Sequence, residues 1–311
     1  MRRDVAELLA RGDRLLHHFL QRHPAIGHAL PAERITTAGI VLVLLALFAM
    51  TVAPRVTALL LRRLGWMEPN FRGDRICQSF GVAILLQALI LLPAYALLAP
   101  SAYGVAGTWL LAVAGFGALG LLDDRFGDRR IKGLRGHFRA ALRERRITTG
   151  FVKAVGGAGL ALVIGLRLAP HDPASALLDA LLVALSANCI NLLDLRPGRA
   201  GALFLVSAAL LILFCADSRH SLAPLILILL AELPVYTRDA RAAAMLGDAG
   251  SNLLGACLGL GIASSAVGVP AKIALAAALA GLHVLTERLS LTDLIERVPP
   301  LRALDRLTGV R

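Results

Sequence analysis

Long apolar runs separated by short basic breaks dominate this chain. The runs fall at about 36–53, 76–98, 106–122, 151–169, 174–193, 200–216, 220–235, 249–267 and 270–287. As helices rising 1.5 Å per residue, segments of about 20 residues cross a hydrocarbon core of about 30 Å. The pattern predicts an all-α polytopic membrane protein of nine transmembrane helices, with ten as the upper count. It divides into an N-terminal arm over 1–34, a transmembrane domain over 35–290 and a C-terminal tail over 291–311, which lies in the cytoplasm.

Hydrophobic residues make up 57% of the chain and the mean hydropathy is +0.70, which excludes a soluble globule. The formal charge of +12 does not point to nucleic acid, because the basic residues gather in the breaks between spans. Between Asp123 and Gly150 there are nine Lys or Arg against four acids, and the 54–75 break adds Arg55, Arg62, Arg63, Arg72 and Arg75. Both breaks therefore belong in the cytoplasm, and the short breaks at 99–105, 170–173 and 268–269 lie outside. Residues 1–34 carry six arginines yet are placed outside by the same alternation. Val5, Leu8, Leu9, Leu15, Leu16 and Phe19 beside Arg2, Arg11, Arg14 and Arg22 suit an amphipathic interfacial helix, and no cleavable signal is evident. The four cysteines show no CxxC spacing and read as packing residues.

Candidate chemistry sits where acids meet the ends of the apolar runs. Asp123 and Asp124, Asp194, and Asp248 all fall on the cytoplasmic side by this topology, and carboxylates beside hydrocarbon need a positive partner. Asp123 and Asp124 close a helix whose dipole is already negative there. Compensation comes either from Arg125, Arg129 and Arg130 or from a divalent metal shared with phosphate oxygens. Asn188, Asn191 and Asp194 recur every three residues and form one polar stripe, explained by helix association or by a site. In Gly247-Asp248-Ala249-Gly250-Ser251, the glycines permit close backbone approach and Ser251 is placed to cap the next helix. Its free N–H groups would seat a phosphate, unless Asp248 is only a cap. Lys153 stands out among 30 arginines and three lysines, as a compact ammonium or as a snorkelling side chain.

Taken in order, GLLDD ending at Asp124, the basic break, TTGFVK, Asn191 with Asp194, and GDAGSNLLG resemble the polyprenyl-phosphate N-acetylhexosamine-1-phosphate transferases over about residues 54–290. The resemblance implies attack of a polyprenyl phosphate on a UDP-amino sugar, releasing UMP, with Mg²⁺ as cofactor and Mn²⁺ as its alternative. Asp248 and Asp124 would hold the metal, while Asp123, Asp124, Lys153 and Asp194 would be catalytic. Asn188, Asn191, Arg196, Arg199, Gly250 and Ser251 are expected to contact substrates. The implied setting is a bacterial cytoplasmic membrane with the site facing the cytoplasm, membrane lipid around it and a homodimer as a further partner. Three stretches depart from the family pattern. Leu195-Arg196-Pro197-Gly198-Arg199-Ala200 follows Asp194, Thr286-Glu287-Arg288-Leu289-Ser290 holds no histidine, and Asn70-Phe71-Arg72-Gly73-Asp74 replaces an early Pro- and Gly-containing segment. They imply a branch with altered substrate. A non-catalytic lipid-phosphate binder stays open as an alternative, as does a transporter, which would place acids near the midplane.

Overall fold

The computed structural model describes residues 2–22, 36–127, 133–287 and 289–310. Among these the fold is helical apart from one hairpin. The helices are α1 (Arg2–Arg22), α2 (Thr37–Arg63), α3 (Val82–Leu98), α4 (Tyr103–Phe126), α5 (Gly133–Arg143), α6 (Thr149–Leu168), α7 (Pro173–Leu193), α8 (Arg199–Phe214), α9 (Arg219–Asp239), α10 (Gly247–Ser264), α11 (Val269–Thr286), α12 (Leu291–Arg297) and α13 (Pro299–Thr308). Local chemistry marks several starts. Thr148 caps α6 by accepting the Phe151 N–H at 3.2 Å, and Asp172 caps α7 from Ala174 and Ser175 with Pro173 in the first turn.

Each expected apolar run coincides with one helix from α2 to α11, α5 excepted. Six of the stretches are long and apolar enough to cross a membrane: Thr37–Arg63, Pro100–Phe126, Thr149–Leu168, Pro173–Leu193, His220–Asp239 and Val269–Thr286. α3 and α8 are shorter apolar helices. Side chains such as Val43, Leu44, Leu47 and Phe48 of α2 are exposed, as a lipid-facing surface requires. α10 is different: almost every residue from Ala249 to Ala263 is buried by its neighbours, chiefly α7 and α4. Its Gly255 and Gly259 lie directly on the α7 backbone, where an added Cβ would come within 2.4 Å of the Ser186 carbonyl oxygen and 2.6 Å of that of Leu182. Small residues at such a contact let two helices pack where lipid supplies no hydrophobic drive.

Several boundaries differ from expectation. The run at 76–98 begins with a strand, because β2 (Arg75–Cys77) pairs antiparallel with β1 (Met67–Pro69) before α3 starts at Val82. The connecting turn is shaped by Asn70, whose side-chain oxygen accepts the N–H groups of Arg72 and Asp74 at 2.8 and 2.9 Å. The run at 36–53 continues through Pro54 to Arg63, and the run at 220–235 continues to Asp239. Not every intramembrane acid lies on one face, either. Asp179 in α7 pairs with Lys272 of α11 at 3.2 Å, and Glu232 lies buried inside α9. In the N-terminal arm, α1 is helical as expected, with Leu8 and Leu15 exposed, and Asp13 accepts the Thr37 N–H at 2.7 Å.

Candidate active site

The C-terminal ends of α4, α7 and α9 and the N-terminal ends of α6 and α10 meet at one end of the bundle. Lys153, in the second turn of α6, forms the centre. Its ammonium pairs with Asp123 of α4 at 2.6 Å and with Asp248 of α10 through a short contact, all three side chains being mostly buried. Thr149 donates its hydroxyl to the other Asp123 oxygen at 2.6 Å. Lysine fits here because one compact ammonium with three donors can serve two carboxylates from different helices. With both carboxylates ionised, the trio of Asp123, Asp248 and Lys153 carries a net negative charge, which would favour a cation nearby.

The GDAGS segment takes its shape from the backbone. Leu246 is in the right-handed and Gly247 in the left-handed helical region (φ −55° and +75°), a succession that turns consecutive N–H groups toward one point. A side chain at Gly247 would be strained there. Two successive N–H groups at the start of α10 are met by one carboxylate: Asp248 and Ala249 donate to the two oxygens of Asp124 at 2.9 and 3.1 Å. A protein carboxylate thus fills the anion seat that the sequence suggested for phosphate. The turn is also latched to the hairpin side: Phe80 and Gly81 donate to the Met245 and Leu246 carbonyls at 2.7 and 2.9 Å, and Met245 donates to the Cys77 carbonyl at 2.9 Å. Burial pushes the Asp194 carboxyl well above the usual carboxylate range, and the nearby Asp239, Asp248 and Asp124 carboxylates push the same way.

Other expected site residues are distributed more widely. Ser251 does not cap α10, because the helix begins at Gly247; fully buried, it donates its hydroxyl to the Asn191 side-chain oxygen at 2.9 Å. Gly250 packs on Gly81, where a Cβ on Gly81 would lie 2.2 Å from the Gly250 Cα. Asn188 is exposed on α7. Arg196 and Arg199 turn to the C-terminal arm instead of the acid cluster. Arg196 pairs with Glu296 at 3.0 Å, and buried Arg199 grips Asp305 through two hydrogen bonds of 2.6 and 3.2 Å. Tyr236 adds a bond to the Thr308 carbonyl at 3.0 Å, so α12 and α13 are strapped beneath the Asp194 loop. Arg129 and Arg130 lie outside the described residues.

Two residues join the site that sequence reasoning missed. Asp239 ends α9 as Asp124 and Asp194 end their helix regions, but its span was drawn four residues short. His137, on the basic helix α5, places Nδ1 2.8 Å from the Thr148 hydroxyl, and its ring faces Gly150 at the start of α6. The spacing between His137 and the acids carried no recognisable signal.

Among the described residues, no three carboxylate, imidazole or thiol groups converge closely enough to cage a metal unaided. The donors nonetheless suit a hard cation such as Mg²⁺, which takes one or two carboxylates and completes its shell with phosphate oxygens and water. Asp248 meets Lys153 through one oxygen, whereas both oxygens of Asp123 are engaged, one by Lys153 and the other by Thr149. Both oxygens of Asp124 are already engaged by backbone N–H groups.

A helical bundle with six spans of membrane-crossing character and a lysine-bridged carboxylate cluster at one end defines a multi-pass membrane protein with a charged centre at one face. The chain belongs to glycosyl transferase family 4, whose model matches residues 106–266, which supports a transferase. The match runs from the first turn of α4 to just past the end of α10 and contains Asp123, Asp124, Lys153, Asp194, Asp239 and Asp248. No curated protein matches the chain.

Proposed function

We propose that this protein transfers a sugar 1-phosphate from a UDP-sugar to a polyprenyl phosphate, releasing UMP, in the first membrane step of a cell-envelope glycopolymer. N-acetylhexosamine is the proposed sugar. The observation that carries this reading is the Asp123–Lys153–Asp248 cluster at the end of an apolar bundle, within a chain of glycosyl transferase family 4. A lipid carrier keeps its tail in hydrocarbon and its head at the interface, so a soluble nucleotide must meet it at such an end. On this reading that end faces the cytoplasm, which the basic breaks support, and the chain crosses a bacterial inner membrane nine times.

Phosphoryl transfer asks the protein to position reactants and neutralise charge. The carrier phosphate, with a second pKa of about 6, is largely ionised at neutral pH and can attack the β-phosphorus without a dedicated base. A bond forms from its oxygen to that phosphorus, and the bond to the bridging oxygen of UMP breaks. Lys153 supplies positive charge to the phosphate oxygens as Asp123 and Asp248 hold its ammonium in place. Asp124, by binding the Asp248 and Ala249 N–H groups, sets the direction of the Asp248 side chain. Asp248 would contribute a carboxylate oxygen to Mg²⁺, whose charge would offset that of the diphosphate and of the leaving UMP.

The test is UMP release by purified protein from a panel of UDP-sugars, with and without polyprenyl phosphate and Mg²⁺. Release that needs both, is lost in EDTA and returns with Mg²⁺ supports the proposal. Silence across the panel, with folded protein, would count against turnover and favour a lipid-phosphate binder.

A further inference from the structure

At the end of the bundle away from Lys153, a cavity of about 480 Å³ opens between the start of α4, the end of α6, α7, the start of α9 and the end of α10. Thr108 on its wall stands 15 positions before Asp123 on α4, which sets the cavity about 22 Å along the helix from the acid cluster. Its volume falls within the range of about 300–1,000 Å³ in which small ligands are held. Trp109 and Leu260 give it an apolar wall, while Arg167, Asp179, Ser221 and Ser264 bring polar groups. Buried Asp179 is already balanced: Lys272 of α11 pairs with it at 3.2 Å and also donates to the Ala263 carbonyl at 2.5 Å. Arg167 is placed differently. Its Nε donates to the Thr108 hydroxyl at 3.1 Å, and that hydroxyl donates to the Gly104 carbonyl at 3.1 Å, so the guanidinium is tethered to α4. Among the described residues no carboxylate pairs with it. Two cations against one acid leave a single positive charge at this end of an apolar bundle, where a charge calls for a counter-ion.

We propose that this cavity binds the phosphate of an anionic membrane phospholipid, with Arg167 as its anchor. A guanidinium tethered at Nε keeps its terminal N–H groups for a ligand, and their planar fork matches two phosphate oxygens. The Ser221 and Ser264 hydroxyls are donors for the remaining oxygens. The apolar wall suits the glycerol and first acyl carbons, which a free phosphate ion lacks. Lipid is at hand there: Arg167 stands in the last turn of α6, an apolar helix of membrane-crossing length that ends at Leu168. The net positive charge favours an anionic headgroup over one that carries its own cation. The site stands apart from the acid cluster and does not depend on the transferase reading.

The experiment measures phosphatidylglycerol bound to the detergent-purified protein by native mass spectrometry, in wild type, Arg167→Gln, Ser221→Leu and Arg62→Gln. Arg62, exposed at the end of α2, controls for general attraction between arginine and lipid. Saturable binding is expected in wild type and Arg62→Gln. It should weaken about ten- to a hundredfold in Arg167→Gln, which removes the charge, and at least about tenfold in Ser221→Leu, which fills the cavity. Phosphatidylcholine should bind at least about tenfold more weakly than phosphatidylglycerol. Inorganic phosphate and glycerol 3-phosphate should leave Tm unchanged where phosphatidylglycerol raises it. Equal binding by wild type and Arg167→Gln overturns the proposal, as does equal affinity for phosphatidylcholine. A rise in Tm with free phosphate as large as with the lipid makes a soluble ion the occupant and overturns the lipid assignment. If Arg167→Gln does not fold, Ser221→Leu decides, and wild-type binding in that variant overturns the site. None of these readouts is turnover, so the result stands whether or not the protein releases UMP.

Discussion

Lys153 is the side chain on which most of the charge balance depends. Removing its ammonium in Lys153→Met leaves Asp123 and Asp248 facing each other in a mostly buried setting, and breaking such a pair costs about 3 kcal/mol or more. The variant is expected to melt at lower temperature and to lose UMP release by about a hundredfold or more. Asp124 and Asp248 should separate cleanly. Asp248→Asn keeps the backbone N–H that Asp124 accepts, so turnover should vanish while the melting temperature in detergent stays near wild type. Asp124→Asn exchanges one of two acceptor oxygens for a donor, so stability should fall by about 1–3 kcal/mol together with turnover. Full UMP release by Asp248→Asn would remove it from the reaction; an unaltered melting temperature in Asp124→Asn would show that its bonds to α10 do not matter for folding.

Helices α4 and α10 meet so closely that their contact admits no side chain. A Cβ at Gly120 would lie 2.1 Å from the Asp248 carbonyl oxygen and 2.7 Å from the Ala249 Cα, so Gly120→Val must push the Asp248 turn away or prevent folding. Loss of folded protein, or folded protein without turnover, is the expected result; an active, stable variant would contradict the close approach. The C-terminal arm makes a second element-level case. Arg199→Ala removes the buried guanidinium that ties α8 to α13 and should lower stability by about 1–3 kcal/mol, with KM for the UDP-sugar unchanged in the folded fraction. A double-mutant cycle with Asp305→Ala should show strong coupling. A raised KM at unaltered stability would instead put Arg199 among the substrate contacts.

Topology can be tested on the whole molecule by labelling single cysteines with a membrane-impermeant maleimide in intact cells, after replacing the native four. Ser101→Cys, between α3 and α4, should label from outside. Arg145→Cys, between α5 and α6, should label only after permeabilisation. The opposite result would invert the membrane orientation and put the acid cluster on the wrong side for a cytoplasmic nucleotide. The basic breaks argue for the expected orientation, since arginine and lysine near span ends are retained in the cytoplasm.

The helical, membrane-embedded character of the chain could be read from apolar runs alone, because hydrocarbon forces each crossing segment to satisfy its own backbone hydrogen bonds. Acids at the ends of such runs are equally visible, since their burial cost marks them wherever they occur. What those acids do depends on contacts between distant parts of the chain. Asp124 meets the Asp248 N–H across 124 positions, and Arg199 meets Asp305 across 106. No local pattern encodes either distance. The chain order therefore announced Asp123, Asp124, Asp194, Asp248 and Lys153 as chemically important. Only packing showed that Lys153 bridges two of the acids, that Asp124 grips two backbone amides of α10 and Asp239 the Gly198 amide, and that Arg196 and Arg199 hold the C-terminal arm. The physical reason is that charge and hydropathy are properties of single residues, whereas the partner that neutralises a charge is chosen by tertiary packing.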